Sequence, residues 1–145
     1  TLVCAVARSD MAIIGNIGDS RAYHITPEGI FQISRDHSVV ENMVAKGDLT
    51  PLEARTHPNR NLITRALGPD IHAKADTFEL PWHKDEFLLL CSDGLVNTVS
   101  DQEMLFEVLH DGDVNECLDH LLQISLQRGA PDNITAVLLL NEEGR

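Results

Sequence analysis

Basic residues are scarce. Eleven Lys and Arg stand against 23 Asp and Glu, a net charge of -12 over 145 residues. A balance this acidic argues against non-specific attraction to DNA, RNA or an anionic membrane surface, all of which need a basic face. Cysteine is also rare and odd in number. Cys4, Cys91 and Cys117 each sit in an apolar run, without metal-ligand spacing. Buried thiols in a reducing compartment are therefore expected, not a disulfide framework. No apolar run approaches the length of a membrane span, and no charged region precedes the first apolar stretch. Membrane insertion is not expected, and the default location is the cytoplasm. No EF-hand loop is present, which argues against a generic acidic Ca2+-binding domain.

What is there is ordinary in bulk. With 43% hydrophobic and 23% charged residues, the chain suits a single globular domain large enough to bury a core. Short alternating bursts fill the first third: TLVCAVA, MAIIGNIG, RAYHIT and IFQIS. Turn residues Ser9-Asp10 and Pro27-Glu28-Gly29 predict an antiparallel meander of two hairpins. Gly15 and Gly18 in the second burst suggest a bulge or a close backbone approach. The pattern then turns helical from Ser38. Val39, Val40, Met43 and Val44 share a face and Gly47 is placed to end it. Thr50-Pro51-Leu52-Glu53 has the form of a capping box, opening a second short helix that breaks before Pro58. Residues 38–68 thus interrupt a sheet protein, and long insertions of that kind are commonly functional.

Two further strands are predicted in AKADTFEL and EFLLLCS. Two helices follow, starting at Ser100-Asp101-Gln102-Glu103 and Asp113-Val114-Asn115-Glu116, with Asp111-Gly112 as the turn between them. Val114, Cys117, Leu118, Leu121, Leu122 and Ser125 predict one packed face on the second, and Gly129 its end. ITAVLLL is apolar enough to be a central strand. Strands in blocks with helices segregated after them define an α+β layered domain of antiparallel sheets.

Three aspartates share one setting, a strand end beside a small or turn-forming residue: Asp19 in IGDSR, Asp93 in LCSDGL and Asp132 in APDNIT. Hard divalent cations such as Mg2+ and Mn2+ take a few carboxylates and fill the remaining positions with water. Gly94 would let the backbone approach such an ion. Asp is equally at home in turns for local reasons, so that Asp132 could cap a turn and Asp93 the segment after it. Acidity overall also serves solubility. Taken one at a time, both uses remain open.

In order and approximate spacing, IGNIGDSRAYHI, QISRDHSVV, HPNRNLITRALG, FLLLCSDGLVN and RGAPDNITAVLL resemble the second half of a metal-dependent protein serine/threonine phosphatase of the PP2C (PPM) family, bacterial type. The resemblance runs from about Val3 to Leu140. It implies an α-β-β-α sandwich of antiparallel sheets, here incomplete at the N-terminal side. It implies removal of phosphate from phosphoserine and phosphothreonine proteins with Mn2+ or Mg2+. Asp93 and Asp132 match ligands of the catalytic metal pair, and Asp19 the ligand of a third, weaker metal. Two ions about 3.5 to 4 Å apart make a nucleophile of water near neutral pH and polarise a phosphoryl oxygen. No side chain of this chain is then the nucleophile, and nothing here resembles the CxxxxxR loop of cysteine-dependent phosphatases. Ser20 and Arg21 belong to the motif without being ligands, and Arg21 is expected to anchor its strand through an ion pair. Residues 38–68 match a flap beside the active site. There His57, Arg60 and Asn61 are candidates for substrate contact, or for shaping the flap, while Asp36 and His37 are expected to be structural.

The family's phosphate-binding Arg and its Asp-Gly-x-Gly-Gly segment, whose Asp bridges the two metals, have no counterpart in these residues. The expectation is a C-terminal part of a larger catalytic domain, inactive or weakly active by itself, with sheets short of strands whose open edges invite self-association. Phosphorylated proteins and, by analogy with bacterial relatives, a Ser/Thr kinase as opponent are the implied partners. The alternative is a non-catalytic regulatory or binding module that keeps the fold.

Overall fold

The computed structural model describes residues 1–110 and 113–143, so the expected Asp111-Gly112 turn lies outside the described residues. Strands β1 (Leu2–Ala7) and β2 (Met11–Ile17) form the first hairpin, and β3 (Arg21–Thr26) and β4 (Gly29–Gln32) the second. The hairpins were expected; a single meander through all four strands was not what formed. Strand β2 pairs instead with β5 (Asp76–Pro81), giving a three-stranded sheet of order β1-β2-β5. Strand β3 pairs with β6 (Phe87–Cys91), and β7 (Ala136–Leu140) completes a four-stranded sheet of order β4-β3-β6-β7. The chain crosses from one sheet to the other at Gly18, whose φ of 108° is left-handed and costs a glycine little.

The sheets meet through one apolar layer. Ala12 and Ile14 of β2 and Leu80 of β5 pack with Ala22 of β3 and Leu88 of β6, and Trp82 is buried among them. The opposite face of the four-stranded sheet, with Tyr23, Ile25, Leu89, Cys91 and Leu138, carries the helices. This two-sided burial explains the unbroken apolar runs of β6 and β7. It also corrects the placement of β7, which is not central but the edge strand of its sheet. Leu138 faces the helices and Leu139 the other sheet, while Val137 is 49% exposed. On the outer face of the three-stranded sheet, Leu2, Cys4 and Val6 are exposed. Cys4 is therefore not the buried thiol expected, whereas Cys91 and Cys117 are buried.

Helix α1 (Val39–Lys46) is capped by Ser38, whose side chain accepts the Glu41 N–H, and ends at Gly47 with φ 80°. Helix α2 (Pro51–Thr56) has the full reciprocal capping box between Thr50 and Glu53. A single turn, α3 (Asp93–Val96), follows β6. Helices α4 (Asp101–His110) and α5 (Val114–Gln127) then cover the sheet. On α5, Cys117, Leu121 and Ser125 are buried, but Leu122 is 39% exposed. One residue on from Leu121, it rotates past the edge of the packed stripe.

Arg128 ties the two helices together. It donates to Glu103 Oε1 (2.6 Å) and Oε2 (2.9 Å) and to the Thr98 carbonyl (2.7 Å). The Arg128 hydrogen bond, with those of Ser100, holds the Glu103 carboxyl down to about 2 from an ordinary 4.5. A depressed carboxyl stabilises the fold above its unfolded value and loses that contribution as pH falls towards its folded one. Arg128→Met should therefore flatten the loss of stability between pH 4.5 and about 2, as measured by urea unfolding at stepped pH. Because both side chains are partly exposed, the effect is small.

Candidate metal site

All three sequence-selected aspartates stand where strands end. Asp19 follows β2 in the crossover turn, which is held by His37: the Gly18 N–H donates to His37 Nδ1 (3.0 Å) and the His37 N–H to the Gly18 carbonyl (2.9 Å). Asp93 follows β6 and opens α3. Asp132 lies ahead of β7, on a segment zipped to the end of β6. The Ser92 N–H donates to the Thr135 carbonyl (2.9 Å), the Thr135 N–H to Ser92 Oγ (3.0 Å), and Ser92 Oγ to the Asn133 carbonyl (3.2 Å).

Gly94 completes the seam. A Cβ at this position would fall on the Asn133 carbonyl oxygen. Its bare backbone thus packs directly on the segment that carries Asp132. Asp132 also serves its own turn, because its Oδ1 accepts the Asn133 N–H (2.7 Å).

The electrostatics join the three. Burial raises the Asp19 carboxyl above its ordinary value, and repulsion from Asp93 and Asp36 adds to the rise. Burial raises Asp93 as well, reinforced by Asp132. The nearby guanidinium of Arg21 does not relieve them. Arg21 donates from Nε and Nη2 to Asp36 (2.9 and 2.8 Å) and from Nη1 to Tyr23 Oη (3.0 Å). Burial opposes its charge more than any single partner favours it, but Asp36 and Tyr23 together outweigh burial and raise its pKa. The strand-anchoring ion pair expected of Arg21 is present, with Asp36 as partner. Cys91, whose thiol burial pushes up to about 12, is no nucleophile.

Asp19 and Asp93 line a cleft of about 640 Å3, which Arg55, Arg60 and Asn61 of the 38–68 segment also line. Asp132 and His57 are not among its lining residues. His57 closes a local turn by accepting the Asn59 N–H at Nδ1 (3.1 Å). Arg55 was missed in the sequence because it reads as an exposed position of a short helix. Among the described residues, no group of three or more His, Cys, Asp or Glu side chains comes together closely enough to hold an ion. The donor set nevertheless fits a hard divalent cation in part. Carboxylates raised by burial and by one another, without an ion-pair partner among the described residues, are relieved by a cation that takes its remaining ligands from elsewhere.

The two antiparallel sheets with their covering helices have the architecture of PP2C-like phosphatase structures. The protein phosphatase 2C model matches residues 1–138, and the chain belongs to that family. It is 35% identical to the serine/threonine phosphatase stp of Listeria monocytogenes over 148 residues, covering 100% of this chain and 59% of the relative. It also superposes on the crystal structure of serine/threonine phosphatase Stp1 from Staphylococcus aureus with a TM-score of 0.91 and 40% identity, over 95% of this chain and 54% of that one. With the catalytic domain of the phosphatase PstP, solved in complex with two manganese ions, the TM-score is 0.81 at 29% identity, over 94% of this chain and 56% of that one. The chain thus spans little more than half the length of these relatives.

Proposed function

We propose that the protein to which this chain belongs is a metal-dependent protein serine/threonine phosphatase acting on phosphoserine and phosphothreonine with Mn2+ or Mg2+. The observation that carries this is the repulsive carboxylate set Asp19, Asp93 and Asp132 in a chain of the protein phosphatase 2C family. A pair of divalent ions would supply a nucleophile from water near neutral pH and polarise a phosphoryl oxygen. Asp93 and Asp132 hold that pair, and Asp19 a further ion. Across the cleft, Arg60 and Asn61 meet the phosphopeptide, Arg60 offering the planar fork that suits a phosphate; His57 shapes the flap that carries them.

Since no three carboxylates among the described residues form a closed cage, these residues by themselves hold a cation weakly and turn over slowly. Their partners are phosphorylated proteins, with an opposing Ser/Thr kinase acting on the same substrates in the cytoplasm. The open edge of β7 makes self-association of the isolated chain an expected behaviour. No helix among the described residues is long and apolar enough to cross a membrane.

The test is hydrolysis of a phosphothreonine peptide by the full protein. Turnover should stop on chelation and return with Mn2+, and the 145 residues alone should be much slower. Chelator-insensitive turnover would count against metal dependence, and absence of both turnover and Mn2+ uptake would favour a non-catalytic module.

A further inference from the structure

A buried imidazole is held on two sides between the crossover turn and the flap. His37 is 6% exposed. Because its Nδ1 accepts the Gly18 N–H, the ring proton sits on Nε2, which donates to Asp76 Oδ2 (2.8 Å). The other Asp76 oxygen accepts from Arg65 Nη1 (2.9 Å), on the returning arm of the flap, and the same nitrogen donates to the Lys74 carbonyl (2.9 Å). The His37 hydrogen bond, ahead of that from Arg65, holds the Asp76 carboxyl below its usual range despite some desolvation.

The backbone repeats the connection. The Thr64 N–H donates to the His37 carbonyl (2.8 Å), the Val39 N–H to the Leu62 carbonyl (2.9 Å), and Ser38 bridges Ile63. One side chain thus touches both the residue before Asp19 and the carboxylate that grips the flap. Imidazole suits this place because its two nitrogens point in opposite directions, so a shorter amide reaches one partner and leaves the other unpaired.

We propose that His37 is a positioning residue, coupling the flap through Arg65 and Asp76 to the Gly18-Asp19 turn and so setting where the Asp19 carboxylate is held. Its consequence for metal rests on Asp19 being a cation ligand; the coupling itself does not. Arg65→Met is the informative change, since Arg65 is partly exposed and its bonds go to Asp76 and Lys74. In the full protein, exchange of the buried Gly18 amide followed by NMR should quicken about fivefold, the equivalent of roughly 1 kcal/mol. The Leu89 amide in the middle of β6 should keep its rate.

His37→Asn keeps an acceptor towards Gly18 but falls short of Asp76, so it should behave as Arg65→Met does, with His37→Ala worse than either. Mn2+ affinity, from the electron spin resonance of free Mn2+, should fall about tenfold in all three, as for other groups that orient a ligand. An unchanged Gly18 amide, or equal acceleration at Gly18 and Leu89, overturns the coupling. Acceleration at Gly18 alone with unaltered Mn2+ affinity upholds the coupling and instead overturns Asp19 as a ligand.

Discussion

Asp93→Asn should abolish metal-dependent hydrolysis while making the metal-free protein harder to unfold. Groups that merely orient a ligand are worth about 10- to 100-fold in metal affinity or activity, so loss of a direct carboxylate should exceed about hundredfold in kcat/KM. The gain in stability has the opposite origin. Burial, then Asp132, raise the Asp93 carboxyl above its ordinary 3.8. A group raised in this way weakens the fold as pH climbs from 3.8 through its folded value, and the deficit persists at neutral pH. An uncharged amide of the same shape removes it. Urea unfolding in chelator at pH 7 should therefore give a higher midpoint for Asp93→Asn, with the order reversed in saturating Mn2+. A lower midpoint under both conditions would show that Asp93 has a structural task unrelated to a cation.

Gly94→Ala should do the reverse of what alanine normally does in a helix. In an ordinary helical site the exchange stabilises by roughly 0.5 to 1 kcal/mol. Here the added methyl lands on the Asn133 carbonyl oxygen and close to Ile134 Cγ1 (3.2 Å). Most of the obstacle is backbone, which cannot rotate away. Overpacking of this kind costs about 1 to 3 kcal/mol, so the urea midpoint should fall. The functional loss should be larger than the stability loss implies, because relief comes by moving the segment of Asp132 away from α3 and so spreading the two carboxylates. Mn2+ binding measured well below the unfolding midpoint separates the two effects. An Ala variant with unchanged Mn2+ affinity would show that Gly94 packs the seam without spacing the acids.

Strand and helix identities were legible because their signals are local. Period-two alternation marks β1 to β4, and Ser38, Gly47, Thr50 and Glu53 occupy helix-end positions that their residue types favour. The sheet to which a strand belongs is not a local property. Strands β2 and β3 carry the same alternation, and only the left-handed turn at Gly18 and the shared layer of Ile14, Ala22 and Leu88 assign them to opposite sheets. Likewise β7 reads as central because a strand covered on both faces and a strand flanked on both edges look alike in sequence.

At the candidate site, an Asp-Gly pair at residues 93–94 is indistinguishable by itself from the one at 111–112. Order and spacing among several motifs separated them. The work of Asp36 and His37 was legible only as unspecified structure, and that of Asp76 not at all. Their partners Arg21, Gly18 and Arg65 lie in β3, the crossover turn and the 38–68 segment, beyond the reach of any window along the chain.

The seam at Ser92 and Thr135 also bears on the order in which the molecule assembles. Asp19 approaches Asp93 through the pairing of β3 with β6, where Arg21 faces Cys91, and Asp132 arrives only when Ala136 takes its place opposite the same Cys91. Both pairings close long loops and are slow to form. Carboxylates brought together so late repel one another little while the chain is still open. Where the carboxylates meet only after the rate-limiting step, their cost speeds unfolding and leaves the folding rate almost untouched.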